Sequence, residues 1–257
     1  MFQLAMSNFN VAEGYQRNSS KQREDGRQLI QSEVKPHCGD TILDLGCGTG
    51  ELSAYLAEMV GQQGKVVGVD PDISRIKVAQ ESYKDVKNLS FVVGSSCDFP
   101  GMGSETYDII TCNAVLHWVS DKEEAFRNMF SSLKPDGKIA VRYCDRLPTV
   151  YDRVYRELNP EILDPLLNMF KCETRPVIEV MCTEAGFNIL KSYDIKNRDR
   201  VYENGDSLRS FFWATTHGVF DPQLVTEGRL ASFCARDRKS TRLNSSHLKL
   251  SRMPSSA

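Results

Sequence analysis

The chain has 257 residues, 40% of them hydrophobic and 26% charged, which suits one generous α/β domain or two small ones. Its formal net charge of -2 offers no basic excess to neutralise phosphates, so nucleic acid and membrane surfaces are not the expected partners. No run approaches the ~18 apolar residues of a membrane span and residues 1–20 lack the pattern of a signal peptide; the eight cysteines form no C-x-x-C pair, so scattered thiols in a reducing cytoplasm, without a bound metal, are expected.

Helical spacing begins over Gln22–Glu33, where Leu29, Ile30 and Val34 form part of an apolar stripe. Ile42, Leu43 and Leu45 make a short apolar run that stops at glycines, as a buried parallel strand does. ELSAYLAEMV (51–60) places Leu52, Tyr55, Leu56 and Met59 at helical spacing. KVVGVD (65–70) reads as a second buried strand, ISRIKVAQESY (73–83) as a helix, LSFVV (89–93) as a strand, and YDIITCNAV (107–115) as a strand running into a turn. DKEEAFRNMFSSL (121–133) is an amphipathic helix that ends at Lys134-Pro135-Asp136-Gly137, and KIAVRY (138–143) is the next strand. This alternation predicts a Rossmann-like α/β fold, a mainly parallel twisted sheet with helices on both faces.

Residues 147–180 carry prolines at 148, 160, 165 and 176 and are expected to form a helical cap over the carboxyl edge of the sheet. EVMCTEAGFNILKSYDI predicts a helix, a turn at Gly186 and a strand over 187–195. The aromatic segment with Phe211, Phe212, Trp213 and Phe220 is expected to return to the cap, over about 205–225, and with Phe170 these rings suggest an apolar or amphipathic substrate body. DPQLVTEGRLASFCAR (221–236) reads as a helix. From Asp237 the chain becomes rich in Ser, Arg and Lys, the signature of a disordered tail, and its run DRKSTRLNSSH resembles the translation of a common sequencing-adapter DNA. The domain is therefore expected to occupy residues 1–236.

Asp44-Leu45-Gly46-Cys47-Gly48-Thr49-Gly50 sits between the first strand and its helix. In open α/β sheets ligands bind at that carboxyl edge, and glycines allow a tight turn with close backbone approach. Asp70 ends the second strand, twenty residues after Gly50, where a carboxylate can accept both ribose hydroxyls of an adenosine. The dinucleotide fingerprint G-x-G-x-x-G/A does not fit, since its sixth position falls on Glu51 or on Ser53. A nicotinamide-dependent oxidoreductase is disfavoured accordingly.

The D-x-G-x-G-x-G pattern resembles the first motif of class I S-adenosylmethionine-dependent methyltransferases, and the likeness runs over roughly residues 10–220. It implies S-adenosylmethionine as cofactor. Gly46, Gly48 and Gly50 would lie against its methionine and ribose parts, Asp44 would support the loop or reach the methionine amino group, Asp70 would hold the ribose, and Ile73 would cover the adenine. Gly94-Ser95-Ser96-Cys97-Asp98 stands where the family usually has Gly-Asp-Ala, so the adenine contact passes to Ser95 and Ser96 or to Asp98.

Asn113-Ala114-Val115-Leu116-His117-Trp118 resembles the N-A-x-x-x-W segment of small-molecule members, such as trans-aconitate and juvenile hormone acid methyltransferases. That likeness adds Asn113 to the cofactor set and puts Trp118 and His117, as base or as wall, at the methyl-transfer site. Tyr15, Asn18 and Gln22 resemble a segment those enzymes share, with Tyr15 and Gln22 closing over cofactor or substrate. The implied partner is a small molecule, a carboxylic acid by the same likeness, oriented by Arg142 and Arg146 at the end of the fifth strand. A cofactor-binding scaffold without catalysis is the alternative. Family members usually end in a strand inserted antiparallel beside strand five, and the sheet is expected to lack it.

Overall fold

The computed structural model describes residues 20–146, 168–199 and 242–252. The first helix, α1 (Ser20–Leu29), passes into a widened turn at Ile30–Val34, which Lys35 closes by donating its N–H to the Ile30 carbonyl. The expected helix over 22–33 is thus two pieces. β1 (Thr41–Leu45), α2 (Glu51–Val60), β2 (Lys65–Asp70), α3 (Ile73–Ser82), β3 (Leu89–Val93) and β4 (Tyr107–Asn113) follow. A single short turn of helix at Leu116–Trp118 leads to α4 (Lys122–Ser132), β5 (Leu133–Tyr143), α5 (Arg175–Glu184), β6 (Phe187–Asp199) and β7 (Arg242–Arg252).

Among the described residues the strands form one seven-stranded sheet in the order β3-β2-β1-β4-β5-β7-β6. The first five run parallel, and β7 lies antiparallel to both of its neighbours. The chain winds outward from β1 to β3 and then returns to start β4 on the other side of β1. The reversal lies between β1 and β4, and a crevice opens at such a point beyond the carboxyl ends of the strands.

Strand periodicity sends alternate side chains to the two faces. Leu43 and Ile110 face α4 and α5, where Phe126, Met129 and Ile178, with Phe187 of β6, close the core. Ile42 and Ile109 face α1 and α2, meeting Leu29, Leu56 and Val60. The strands read as continuous apolar runs because both faces are covered. No helix of the described residues is long and apolar enough to cross a membrane.

Three expectations need correction. β5 starts at Leu133, because a bulge absorbs the Lys134–Gly137 turn within the strand, with Asp136 at φ +63°. The expected cap over 147–180 ends earlier, because α5 begins at Arg175 and packs beside α4 on the sheet, burying Ile178 and Cys182. The tail was expected to be disordered and the sheet to lack its last strand. Instead Arg242–Arg252 fills the place between β5 and β6. Two facing rows of peptide groups in that gap need partners, and any extended segment can supply them through its backbone. Leu250 is fully buried in the core, and the Arg252 guanidinium donates to the Leu133 carbonyl and lies 4.9 Å above the Phe130 ring. The expected cap aromatics Phe211, Phe212, Trp213 and Phe220, and the helix over 221–236, lie outside the described residues.

Candidate active site

The loop after β1 is built by its glycines. Gly46, Gly48 and Gly50 take φ of +77°, +58° and +88°, a region that side-chain-bearing residues avoid. Gly46 and Cys47 donate their N–H groups to the Val69 carbonyl at 2.7 and 2.9 Å, which ties the turn to β2. A Cβ on Gly46 would lie 2.1 Å from Val115 Cγ2, and one on Gly50 would lie 2.5 Å from Phe91 Cζ.

Asp70, only 5% exposed, closes this loop from below. Gly48 N–H donates to its Oδ2 and Asp72 N–H to its Oδ1, both at 2.9 Å. Each carboxylate oxygen can accept a second hydrogen bond. Asp72 caps α3, accepting from Ser74 N–H at 2.8 Å, and the next residue, Ile73, three after Asp70, is an apolar side chain left 46% exposed.

Asp44 has the supporting place. Its Oδ2 accepts from Ser53 Oγ at 2.6 Å and its Oδ1 from Thr111 Oγ1 at 3.0 Å, so one carboxylate joins β1, α2 and β4. Burial pushes its pKa up; the Ser53 and Thr111 hydroxyls partly offset this, and the Asp70 charge adds a smaller push upward.

β4 ends at Asn113, whose Oδ1 is buried without a hydrogen-bond partner. A buried acceptor of that kind points to a donor supplied by a ligand. The chain turns at Ala114, φ +61°, whose N–H donates to the Arg142 carbonyl at 2.7 Å. Ser95 and Asp98 close a tight turn with paired backbone hydrogen bonds of 2.8 and 3.2 Å. Ser95 Oγ accepts from Cys97 N–H, and the Ser96 carbonyl accepts from Asn128 Nδ2.

Past β4, three rings meet. His117 stacks on Phe170 at 5.6 Å between centroids and 5° between planes, and Trp118 lies 4.3 Å from Phe170. Lys171 N–H donates to the His117 carbonyl, which anchors the Phe170 segment there. His117 Nδ1 accepts from Cys144 N–H at 3.4 Å, so the neutral ring carries its proton on Nε2.

The two arginines expected to orient a carboxylate are engaged elsewhere. Arg142 Nη2 donates to Asp25 Oδ2 at 2.7 Å in a buried ion pair, and Arg146 pairs with the adjacent Asp145 at 3.1 Å. Gln22 lies in α1, one turn before Asp25, while Tyr15 and Asn18 lie outside the described residues. Asp25 is missing from the sequence reading, which has Phe170 among the cap aromatics but not its partners His117 and Trp118. A pair separated by 117 residues leaves no local signal.

The glycine loop, Asp70, Ile73 and Asn113 stand at or just after the carboxyl ends of β1, β2 and β4, on the switch-point edge, and the chain is an S-adenosylmethionine-dependent methyltransferase of class I. The orphaned Asn113 Oδ1 fits an ammonium such as that of the cofactor's methionine part. A family profile described as "Methyltransferase domain" matches residues 36–202, and the chain belongs to that family. It is similar to a ubiquinone/menaquinone biosynthesis C-methyltransferase, UbiE, of Vibrio campbellii, at 32% identity over 176 residues, 61% of this chain and 68% of that protein. In fold it is similar to the [4+2]-cyclase SpnF, with a TM-score of 0.64 at 18% identity over 90% of this chain and 81% of that one. It is also similar to Haemonchus contortus phosphoethanolamine N-methyltransferase 2 in complex with S-adenosyl-L-methionine, with a TM-score of 0.64 at 13% identity over 96% of this chain and 57% of that one.

Proposed function

We propose that this enzyme methylates a small, planar and largely apolar acceptor that lies against His117, Trp118 and Phe170. The supporting observation is the meeting of these three rings directly after β4, on the edge that carries the glycine loop. Aromatic walls suit a flat apolar body.

In this reading the backbone of Gly46, Gly48 and Gly50 borders the methionine and ribose parts of the cofactor. Asp44 holds the loop, Asp70 accepts from the ribose, Ile73 lies against the adenine, and the Ser95–Ser96 turn borders its edge. Asn113 Oδ1 accepts from the ammonium, and Gln22 closes the site from α1. The bound cofactor supplies a methyl group activated by a sulfonium. The protein's share is alignment and exclusion of water, and holding two reactants in line contributes about 7–11 kcal/mol. His117 stands at the wall of the acceptor site, where a carbon acceptor would need a base to take the proton that the new methyl group displaces. The reaction belongs in a reducing cytoplasm, a placement supported by the free thiols of the described cysteines.

Two acceptor atoms have specific support. A carbon acceptor is favoured by the C-methyltransferase named among the relatives. A carboxylate oxygen is favoured by the N-A-x-x-x-W likeness; it is ionised near pH 7 and needs no base. The engagement of Arg142 in its buried pair with Asp25 weighs towards carbon. The test uses cofactor labelled in its methyl group and a panel of phenols, quinols and carboxylic acids. Transfer to a ring carbon leaves a label that survives mild alkali, whereas an ester releases labelled methanol. No transfer to any member of the panel, with the cofactor bound, would refute the small-molecule reading.

A further inference from the structure

We infer that Asp25 and Arg142 form a latch that fastens α1 across the carboxyl edge of the sheet, and that both act as positioning residues for the cofactor site. The inference rests on the cofactor reading given above.

α1 is held at its carboxyl end by Leu29, buried in the core, and has little else of its own to hold it. It is ten residues long, short for a helix in water, and its sequence, SKQREDGRQL, is mostly polar with a glycine inside. On one side it lies along α2 through weak partly exposed contacts. Arg23 and Glu51 are 3.7 Å apart, and Arg27 lies 5.2 Å from the centre of the Tyr55 ring. On the other side the contact is of a different kind. Asp25 is 5% exposed and Arg142 9%, and their 2.7 Å hydrogen bond joins the helix to the last turn of β5. A carboxylate buried there would be costly without its cation, so the position of α1 and that of Arg142 depend on each other.

Gly26 sets the distance. A Cβ there would lie 2.3 Å from Leu52 Cδ1, next to the glycine loop, and 3.0 Å from Asn113 Nδ2. A side chain there would have to displace the end of Leu52 and press on Asn113, so glycine lets α1 lie close to the start of α2 and the end of β4. Arg142 works in a second direction as well. Its carbonyl accepts from Ala114 N–H and so fixes the turn leading from Asn113 to His117 and Trp118. One residue therefore ties the cover of the cofactor site to the wall of the acceptor site. When the latch opens, the share of molecules ready to bind falls, and apparent affinity falls by the same factor.

The test combines hydrogen exchange of the ligand-free protein with calorimetric titration of S-adenosylhomocysteine. The variants are Asp25→Asn, Arg142→Gln, their double, and Gly26→Leu. The latch requires faster exchange of the α1 amides in each Asp25 or Arg142 variant, with a loss of affinity of about tenfold. The double should lose less than the sum of the two singles, since both break one shared interaction. Gly26→Leu crowds Leu52 and Asn113 directly, so its loss of affinity reports on the seat of α1, and the Asp25 and Arg142 variants alone report on the latch. Unchanged α1 exchange and unchanged affinity in folded single variants would overturn the inference, as would additive losses in the double. Absence of binding by the unsubstituted protein would instead refute the cofactor site, and α1 exchange would still decide whether the latch exists.

Discussion

Asp44 and Asp70 lie on neighbouring strands of one sheet, yet their surroundings give them different work. Asp70 spends one hydrogen bond per oxygen on the loop backbone and keeps acceptor capacity for a ligand. Asp70→Ala should cost about 1.5–3 kcal/mol of S-adenosylhomocysteine affinity, the usual worth of hydrogen bonds to a charged group, read by calorimetry. Asp44 is enclosed by Ser53 and Thr111 and is held by burial above its ordinary carboxyl value of 3.8. The folded protein therefore keeps the Asp44 proton over a range of pH in which the unfolded chain has released it. That contribution to stability is complete below 3.8 and is lost as pH rises through the raised value. Asp44→Asn should lack this loss, so its stability relative to the parent should improve across that window. Denaturant midpoints measured against pH for both proteins provide the check, and parallel curves would contradict it.

At the scale of elements, the glycine loop and the last strand carry opposite lessons. Gly50 combines φ +88° with a packed neighbour, Phe91, so Gly50→Ala should destabilise by about 2–4 kcal/mol through backbone strain and overpacking together. Urea unfolding measures this, and a neutral result would mean that the loop relaxes freely. The need for glycine was legible in the sequence, because the pattern falls where a strand meets a helix. β7 was not legible, although Leu248 and Leu250 alternate with His247, Lys249 and Ser251. Its pairing is made by main-chain groups on β5 and β6, and composition carries little information about such bonds. A chain ending at residue 241 should lose the buried Leu250 contact, worth about 1.5–3 kcal/mol, and expose two strand edges. A lower melting temperature with aggregation is expected, and a melt identical to that of the full chain would show that β7 adds nothing. α5 was drawn into the cap for a related reason: its apolar face was visible, but not the surface it meets.

For the whole molecule, ligand and fold should report on each other. S-adenosylhomocysteine at roughly a hundred times its Kd should stabilise the folded state by about 2.7 kcal/mol, visible as a rise in melting temperature that Asp70→Ala diminishes. The likeness in fold to a cyclase is a reminder that this architecture carries more than one chemistry, so the acceptor must be argued from the rings after β4 rather than from the sheet. The sequence by itself determined the alternation of strands and helices, the glycine loop, Asp70 and the segment from Asn113 to Trp118. Each is a local pattern, set by backbone geometry or by spacing within one or two elements. Only the tertiary structure decided that Arg142 belongs to Asp25, that Asp44 is a staple between three elements, that Phe170 completes the aromatic wall, and that the terminal residues fill the sheet. In each of these the partners are brought together by the winding of the chain around the sheet, and no regular spacing along the sequence encodes that meeting.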